Sequence, residues 1–238
     1  MAEKSLPRGR SAENEKQKFL GRTYGWMALA LFISGVSAYL GASYTPLMNF
    51  IWRNHAVGFI VLSITELVLV IVFSATMKKM PVGTAVVCFI AYSIINGLTL
   101  SSIFWAYSIS SISYCFISCS AMFLVMCIYG MKTKTNLAPF AKYLIMGLLG
   151  LIIVSAANVL VSLITKTQST AIDWIISLVS VVLFTGLTAY DSQKILKAAF
   201  YADNSDSFKK LAIYGALELY LDFINLFLSL LRFFGKKE

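Results

Sequence analysis

"YGALELYLDFINLFLSLLRFFG", residues 214–235, has the apolar content of a membrane-spanning helix and two acids that such a helix should not contain. Glu218 and Asp222 stand four residues apart, so on a helix they share one face. An ionised carboxylate in hydrocarbon costs roughly 3 kcal/mol on insertion scales. Tyr214, Glu218, Asp222, Asn225 and Ser229 advance by three or four residues and make one polar stripe. A helix with such a stripe turns it to other helices or to a water-filled cavity, not to lipid. The last helix is therefore expected at the centre of a bundle, wrapped by the rest.

The whole chain supports a bundle of that kind. Of its 238 residues 58% are hydrophobic and only 13% charged, with a mean hydropathy of +0.77. Soluble domains carry about 25% charged residues, so this is the composition of an integral membrane protein. Apolar runs fall at 24–43, 56–76, 82–105, 111–131, 143–165, 173–190 and 211–234. Each can cross a hydrocarbon core of about 30 Å. Short connections predict one all-α domain of seven transmembrane helices over 23–238. Residues 1–22, with Pro7, Gly9 and mixed charges, read as a flexible cytoplasmic tail without the apolar core of a cleavable signal.

The net charge of +9 does not indicate nucleic-acid binding, because the basic residues sit in loops and not in a clustered patch. Lys4, Arg8, Arg10, Lys16, Lys18, Arg22, Lys78, Lys79, Lys132, Lys134, Lys142, Lys194, Lys197, Lys209 and Lys210 fall on one side. Arg53 and Lys166 fall on the other, which places the amino terminus in the cytoplasm. Arg232, Lys236 and Lys237 then lie outside, against the rule, unless the last segment is re-entrant; a full span is the reading adopted. Cys88, Cys115, Cys119 and Cys127 all lie inside apolar runs and read as small buried hydrophobes, with no CxxC pair. With His55 as the only histidine and no HExxH, neither a metalloprotease nor an intramembrane serine–histidine pair can be assembled. No GxGD motif surrounds Asp191 or Asp222, so an aspartyl intramembrane protease is disfavoured as well. No enzyme, cofactor or resident metal is expected.

Four acids remain within or at the rim of the spans: Glu66, Asp191, Glu218 and Asp222. Counting 17 residues from Trp174 to Asp191 gives roughly 25 Å of depth, and 13 from Gly235 back to Asp222 gives roughly 20 Å. The two aspartates thus come to similar depths, toward the cytoplasmic side. If their helices are neighbours, the carboxylates can share one proton, since two adjacent carboxylates in low dielectric cannot both ionise cheaply. The plainer alternatives are an ion pair of Asp191 with Lys194 or Lys197 and ordinary hydrogen bonding of the other acids.

"TGLTAYDSQKI" (185–195) and "LYLDFINLFLSLLRFFG" (219–235) resemble the paired signatures of the Bax inhibitor-1 family. "TELVLV" (65–70), "INGLTLSSIF" (95–104) and "YGMKTKTNL" (129–137) are similar to it too, so the resemblance runs from about residue 20 to 235. It implies seven helices with the last surrounded by six, and a pH-dependent calcium leak. Asp191 and Asp222 would be the proton-sharing latch on the cytoplasmic side. Some relatives place an arginine beside the first aspartate; the matching position here is Met77, followed by Lys78, a possible basic partner for the latch. Glu218 lies outside the family motif.

The expected function is a pH-sensitive calcium leak through the membrane. Glu66, Glu218 and Asn225 are candidate pathway residues that, with Asp222 and water, give calcium a loose set of oxygens. The expected partners are calcium ions, protons and the lipid bilayer, in a bacterial inner membrane. The rival is a non-conducting interaction protein that regulates a membrane protease or a secretion complex.

Overall fold

The computed structural model describes residues 8–77, 79–165 and 170–236. Their regular structure is α-helical: α1 Arg8–Ser43, α2 Thr45–Thr76, α3 Val82–Leu100, the single turn α4 Ile103–Ala106, α5 Ile109–Lys132, α6 Ala138–Thr165, α7 Thr170–Ala199 and α8 Asp206–Phe234. The seven apolar runs fall one to each long helix, with α4 extending the third. Helix starts follow local chemistry. Pro46 sits in the first turn of α2, where no helical N–H is lost. Ser108 caps α5, its Oγ accepting the Ser111 N–H at 3.4 Å. Between α3 and α4 the hydroxyls of Ser101 and Ser102 donate to the carbonyls of Leu98 and Thr99, at 2.5 and 2.8 Å, and compete with the helix ladder there.

Among the described residues six helices are long and apolar enough to cross a membrane: those containing Ala12–Ser43, Val82–Ala106, Ile109–Lys132, Ala138–Ser162, Ala171–Ala199 and Asp206–Phe234. Ile60–Thr76 adds a shorter apolar stretch within α2. The most apolar window of α8 is 67% buried, against 0% for α6, so α6 is the least enclosed of the six and α8 the most.

One expectation is corrected. Residues 8–22 are not a flexible tail but the opening turns of α1. Glu13–Lys16 and Glu15–Lys18 pair at 3.8 and 2.8 Å one turn apart, which supports an exposed helix. Phe19, Thr23, Met27, Ala30, Ser34 and Ala38 form one buried line at spacings of three and four, so the packed face of the span continues outward. Phe19 meets Phe208 edge-on at 6.1 Å, and both terminal nitrogens of Arg22 reach Asn204 Oδ1, at 3.3 and 3.4 Å. Residues 1–7 lie outside the described part.

Contacts divide the chain into two compact units, Met1–Ala106 with Ile195–Tyr220 and Tyr107–Lys194 with Leu221–Glu238. In the first, α1 and α3 cross at Gly97. A Cβ added there would lie 2.5 Å from the Ser34 carbonyl oxygen and 2.6 Å from Ser37 Cβ, so only glycine permits the approach. In the second unit α5 packs on α8 through thiols: Cys115 Sγ donates to Leu230 O and Cys119 Sγ to Phe223 O, both at 3.7 Å. Phe223 also packs edge-on against Phe116 and Phe123 of α5. At its other end α5 meets α7, where Gly130 lies directly on the Ala189 backbone. The α6–α7 hairpin is held by Asn158 Nδ2 donating to Asp173 Oδ1 at 2.7 Å.

Candidate functional site

The second unit contains both aspartates. Asp191 is 8% exposed on α7 and Asp222 is 5% exposed on α8, each surrounded by buried neighbours. The Asp191 region is braced from the sequence on both sides. Gly130 of α5 is seated on Ala189, two residues before it. Two residues after it, Gln193 accepts the Leu137 N–H and donates to Thr135 O, both at 2.9 Å, and so ties down the α5–α6 connection. Lys194 Nζ stands 3.7 Å from Asp191 Oδ1, an ion pair too long for a hydrogen bond, and the lysine side chain is 42% exposed. That pair was the plainer reading of Asp191, and it is present. It does not remove the burial of the carboxyl, and an exposed partner at this distance contributes little. Lys78, the other basic partner considered, lies outside the described residues.

Along α8 the structure separates what periodicity had joined. The partly accessible positions are Tyr214, Glu218, Leu221, Asn225 and Leu228, again spaced by three and four. Asp222 and Ser229, assigned from sequence to the same stripe, are buried one position to the side. One residue turns a helix by about 100°, so Glu218 and Asn225 lie on the accessible line and Asp222 turns inward. Asn225 Nδ2 donates to Leu221 O at 2.8 Å, and Ser229 Oγ to Asn225 O at 2.6 Å, which satisfies both within the helix. Glu218 belongs to the first unit. So does a cavity of about 340 Å³ whose lining includes Met77, Ser74, Lys210 and Tyr214. Met77, the position of the arginine in some relatives, is 5% exposed and apolar.

Glu66, also in the first unit, is half-buried on α2, with its Oε2 accepting from Asn96 Nδ2 at 3.3 Å. Asn96 in turn receives the Tyr220 hydroxyl on Oδ1 at 2.8 Å. Tyr220 OH lies 2.7 Å from Ser34 Oγ, and Ser34 donates to Ser93 O at 2.7 Å. This chain of polar groups was not anticipated. Asn96, Tyr220 and Ser34 come from three separate helices, and in sequence each passes for an isolated polar residue in an apolar run.

A multi-pass, all-helical membrane protein with buried acids on its last two helices is the class these features define. Residues 16–238 match the family model described as inhibitor of apoptosis-promoting Bax1, and the chain belongs to the Bax inhibitor-1 family. It is 40% identical over 224 residues to the inner membrane protein YbhL of Escherichia coli K12, covering 93% of both chains. An uncharacterized protein of Borreliella burgdorferi is also 40% identical, over 94% of both chains. Uncharacterized protein RP147 of Rickettsia prowazekii is 34% identical, over 93% of this chain and 91% of its own.

Proposed function

We propose that this protein is a pH-sensitive calcium leak of a bacterial inner membrane, with Asp191 and Asp222 as its proton-sharing gate. The observation that carries the reading is the burial of both carboxyls, 8% and 5% exposed, on two helices of one compact unit. Buried acids in a membrane protein cost free energy and mark functional positions. Glu218 and Asn225, on the accessible line of α8, are the pathway residues, whereas Glu66, bonded to Asn96, is not counted among them. A leak needs no catalytic centre, cofactor or resident metal; calcium is cargo, and the oxygens bind it loosely enough to release it. Membership of a family with an inner membrane relative supports the location.

The test is the purified protein in liposomes with an entrapped calcium dye, followed across pH. Influx above that of empty vesicles, rising from mildly acidic to neutral pH, is the expected result. Glu218→Gln lowers the flux at neutral pH and leaves its midpoint in place, because it removes a charge that attracts cations without touching the gate. Influx equal to that of empty vesicles at every pH overturns the reading. It would leave the non-conducting regulator of a membrane protease or secretion complex as the alternative.

Orientation has its own test. A reporter before Met1 should read as cytoplasmic and one after Glu238 as periplasmic, because fifteen of the twenty basic residues lie on the amino-terminal side. A cytoplasmic carboxyl terminus would show that α8 does not complete its crossing.

A further inference from the structure

Four contacts run in line through the first unit: Ser93 O to Ser34 Oγ at 2.7 Å, Ser34 Oγ to Tyr220 OH at 2.7 Å, Tyr220 OH to Asn96 at 2.8 Å, and Asn96 to Glu66 Oε2 at 3.3 Å. Each needs one proton between its two heavy atoms. Ser34 and Tyr220 bring one proton each, and the Asn96 amide can donate at one end while accepting at the other. With Nδ2 toward Glu66, Tyr220 gives its proton to Asn96 Oδ1. The single Ser34 proton must then serve both Ser93 O and Tyr220, so one oxygen–oxygen contact of 2.7 Å is left without a proton. In the same state Glu66 Oε1 is buried and accepts no hydrogen bond among the described residues.

Turning the Asn96 amide by half a revolution changes the count without moving the heavy-atom frame. Nδ2 now donates to Tyr220, Tyr220 to Ser34, and Ser34 to the Ser93 carbonyl. Asn96 Oδ1 faces Glu66, and the last contact closes only if Glu66 Oε2 carries a proton. All four contacts are then filled, and all donors point the same way. Polar groups left unsatisfied in a buried network are costly, so this arrangement is the favoured one. Tyr220 is 0%, Ser34 1% and Asn96 8% exposed, which keeps bulk water from completing the alternative. The titratable groups on which the Glu66 charge acts are the phenols of Tyr92 on α3 and Tyr220 on α8, whose ordinary pKa is about 10, so both are neutral. Ser34 and Asn96 are neutral, as is Thr99, whose hydroxyl stands within reach of the carboxyl but donates to Ile95 O of its own helix at 3.3 Å. Among the described residues no lysine or arginine forms an ion pair with Glu66.

We propose that Glu66 is a proton-binding site separate from the aspartates, neutral at neutral pH, and that Asn96, Tyr220 and Ser34 position it. Loss of the Glu66 proton turns the Asn96 amide and reverses the donor order back to α1. The four helices α1, α2, α3 and α8 are thereby joined by a line of hydrogen bonds whose completeness depends on one proton.

Infrared difference spectra of the full-length protein in lipid test this directly. They are read in the carbonyl-stretch region of neutral carboxyls, and no calcium flux is involved. At neutral pH the wild type should show a band that is missing in Glu66→Gln and still present in Asp222→Asn. Glutamine keeps a donor and an acceptor, so this variant keeps the line complete and folds. A wild-type spectrum identical to that of Glu66→Gln in this region would mean an ionised Glu66 and would overturn the proposal. Tyr220→Phe removes the acceptor for Asn96 Nδ2. Ser34→Ala, a milder change, leaves the Tyr220 proton only Asn96 Oδ1. Both favour Nδ2 toward Glu66 and hence the carboxylate. Each should lower the midpoint pH of the Glu66 band by about one pH unit, a tenfold loss of proton affinity. An unmoved midpoint in both variants would overturn the positioning role.

Discussion

Asp191→Asn and Asp222→Asn are each expected to flatten the pH dependence of calcium flux, whatever basal leak each retains. In the proposed gate one shared proton would hold the two carboxyls, and with them α7 and α8, by a charge-assisted hydrogen bond. As pH rises the proton leaves, and two anions face each other in a medium of low dielectric. Two unit charges 4 Å apart repel by about 4 kcal/mol at an effective dielectric of 20. That is the few kcal/mol needed to bias a two-state bundle toward its open form. The closed state is therefore stabilised below the titration of the pair and loses that stabilisation as pH rises through it. Asparagine at either position removes the repulsion at every pH. The double variant should add little to either single one, because the pair acts as one element. Liposome flux across pH gives the answer, and a wild-type profile in both single variants would remove the pair as the gate.

Gly130→Ala is expected to destabilise the protein by about 1–3 kcal/mol or more, the range for overpacking a close contact. The added Cβ would enter the space of the Ala189 carbonyl and Cα, which are backbone atoms and cannot swing aside as a side chain would. Separating α5 from α7 there also disturbs Asp191, two residues further on. Gly150→Ala is the matched control, since a Cβ at that position meets nothing within 4 Å. Thermal unfolding of the detergent-purified variants, followed by tryptophan fluorescence, should show a clear loss for the first and none for the second. Equal melting of the two would mean that the α5–α7 contact relaxes at no cost.

The class of the protein was legible because hydropathy and helix length are properties of contiguous sequence. Each apolar run lies along one long helix, the third continuing into the short α4, and the acids at Asp191 and Asp222 stood out against apolar surroundings. The opening turns of α1 were misread because Pro7, Gly9 and a run of charges suggested a tail. The signal for a helix was present in the spacing of Phe19, Thr23 and Met27, but mixed charge masked it. Exposed ion pairs one turn apart are compatible with helix, and it took packing against Phe208 and Asn204 to show which prevailed.

Periodicity along a single helix determined that α8 has a polar side, since a 3.6-residue repeat needs no knowledge of neighbours. Tertiary structure alone decided how that side is divided: Glu218 and Asn225 on an accessible line, Asp222 and Ser229 turned into the protein. A rotation of one residue moves a group from solvent to core, and only the positions of the surrounding helices set that rotation. The line from Glu66 to Ser34 is of the same kind. Its members are far apart in sequence, with Ser34 and Tyr220 separated by 186 residues, and nothing local marks them as partners. Hydrogen bonds between helices depend on distances of tenths of an ångström, which the packing of backbones at Gly97 and similar crossings fixes.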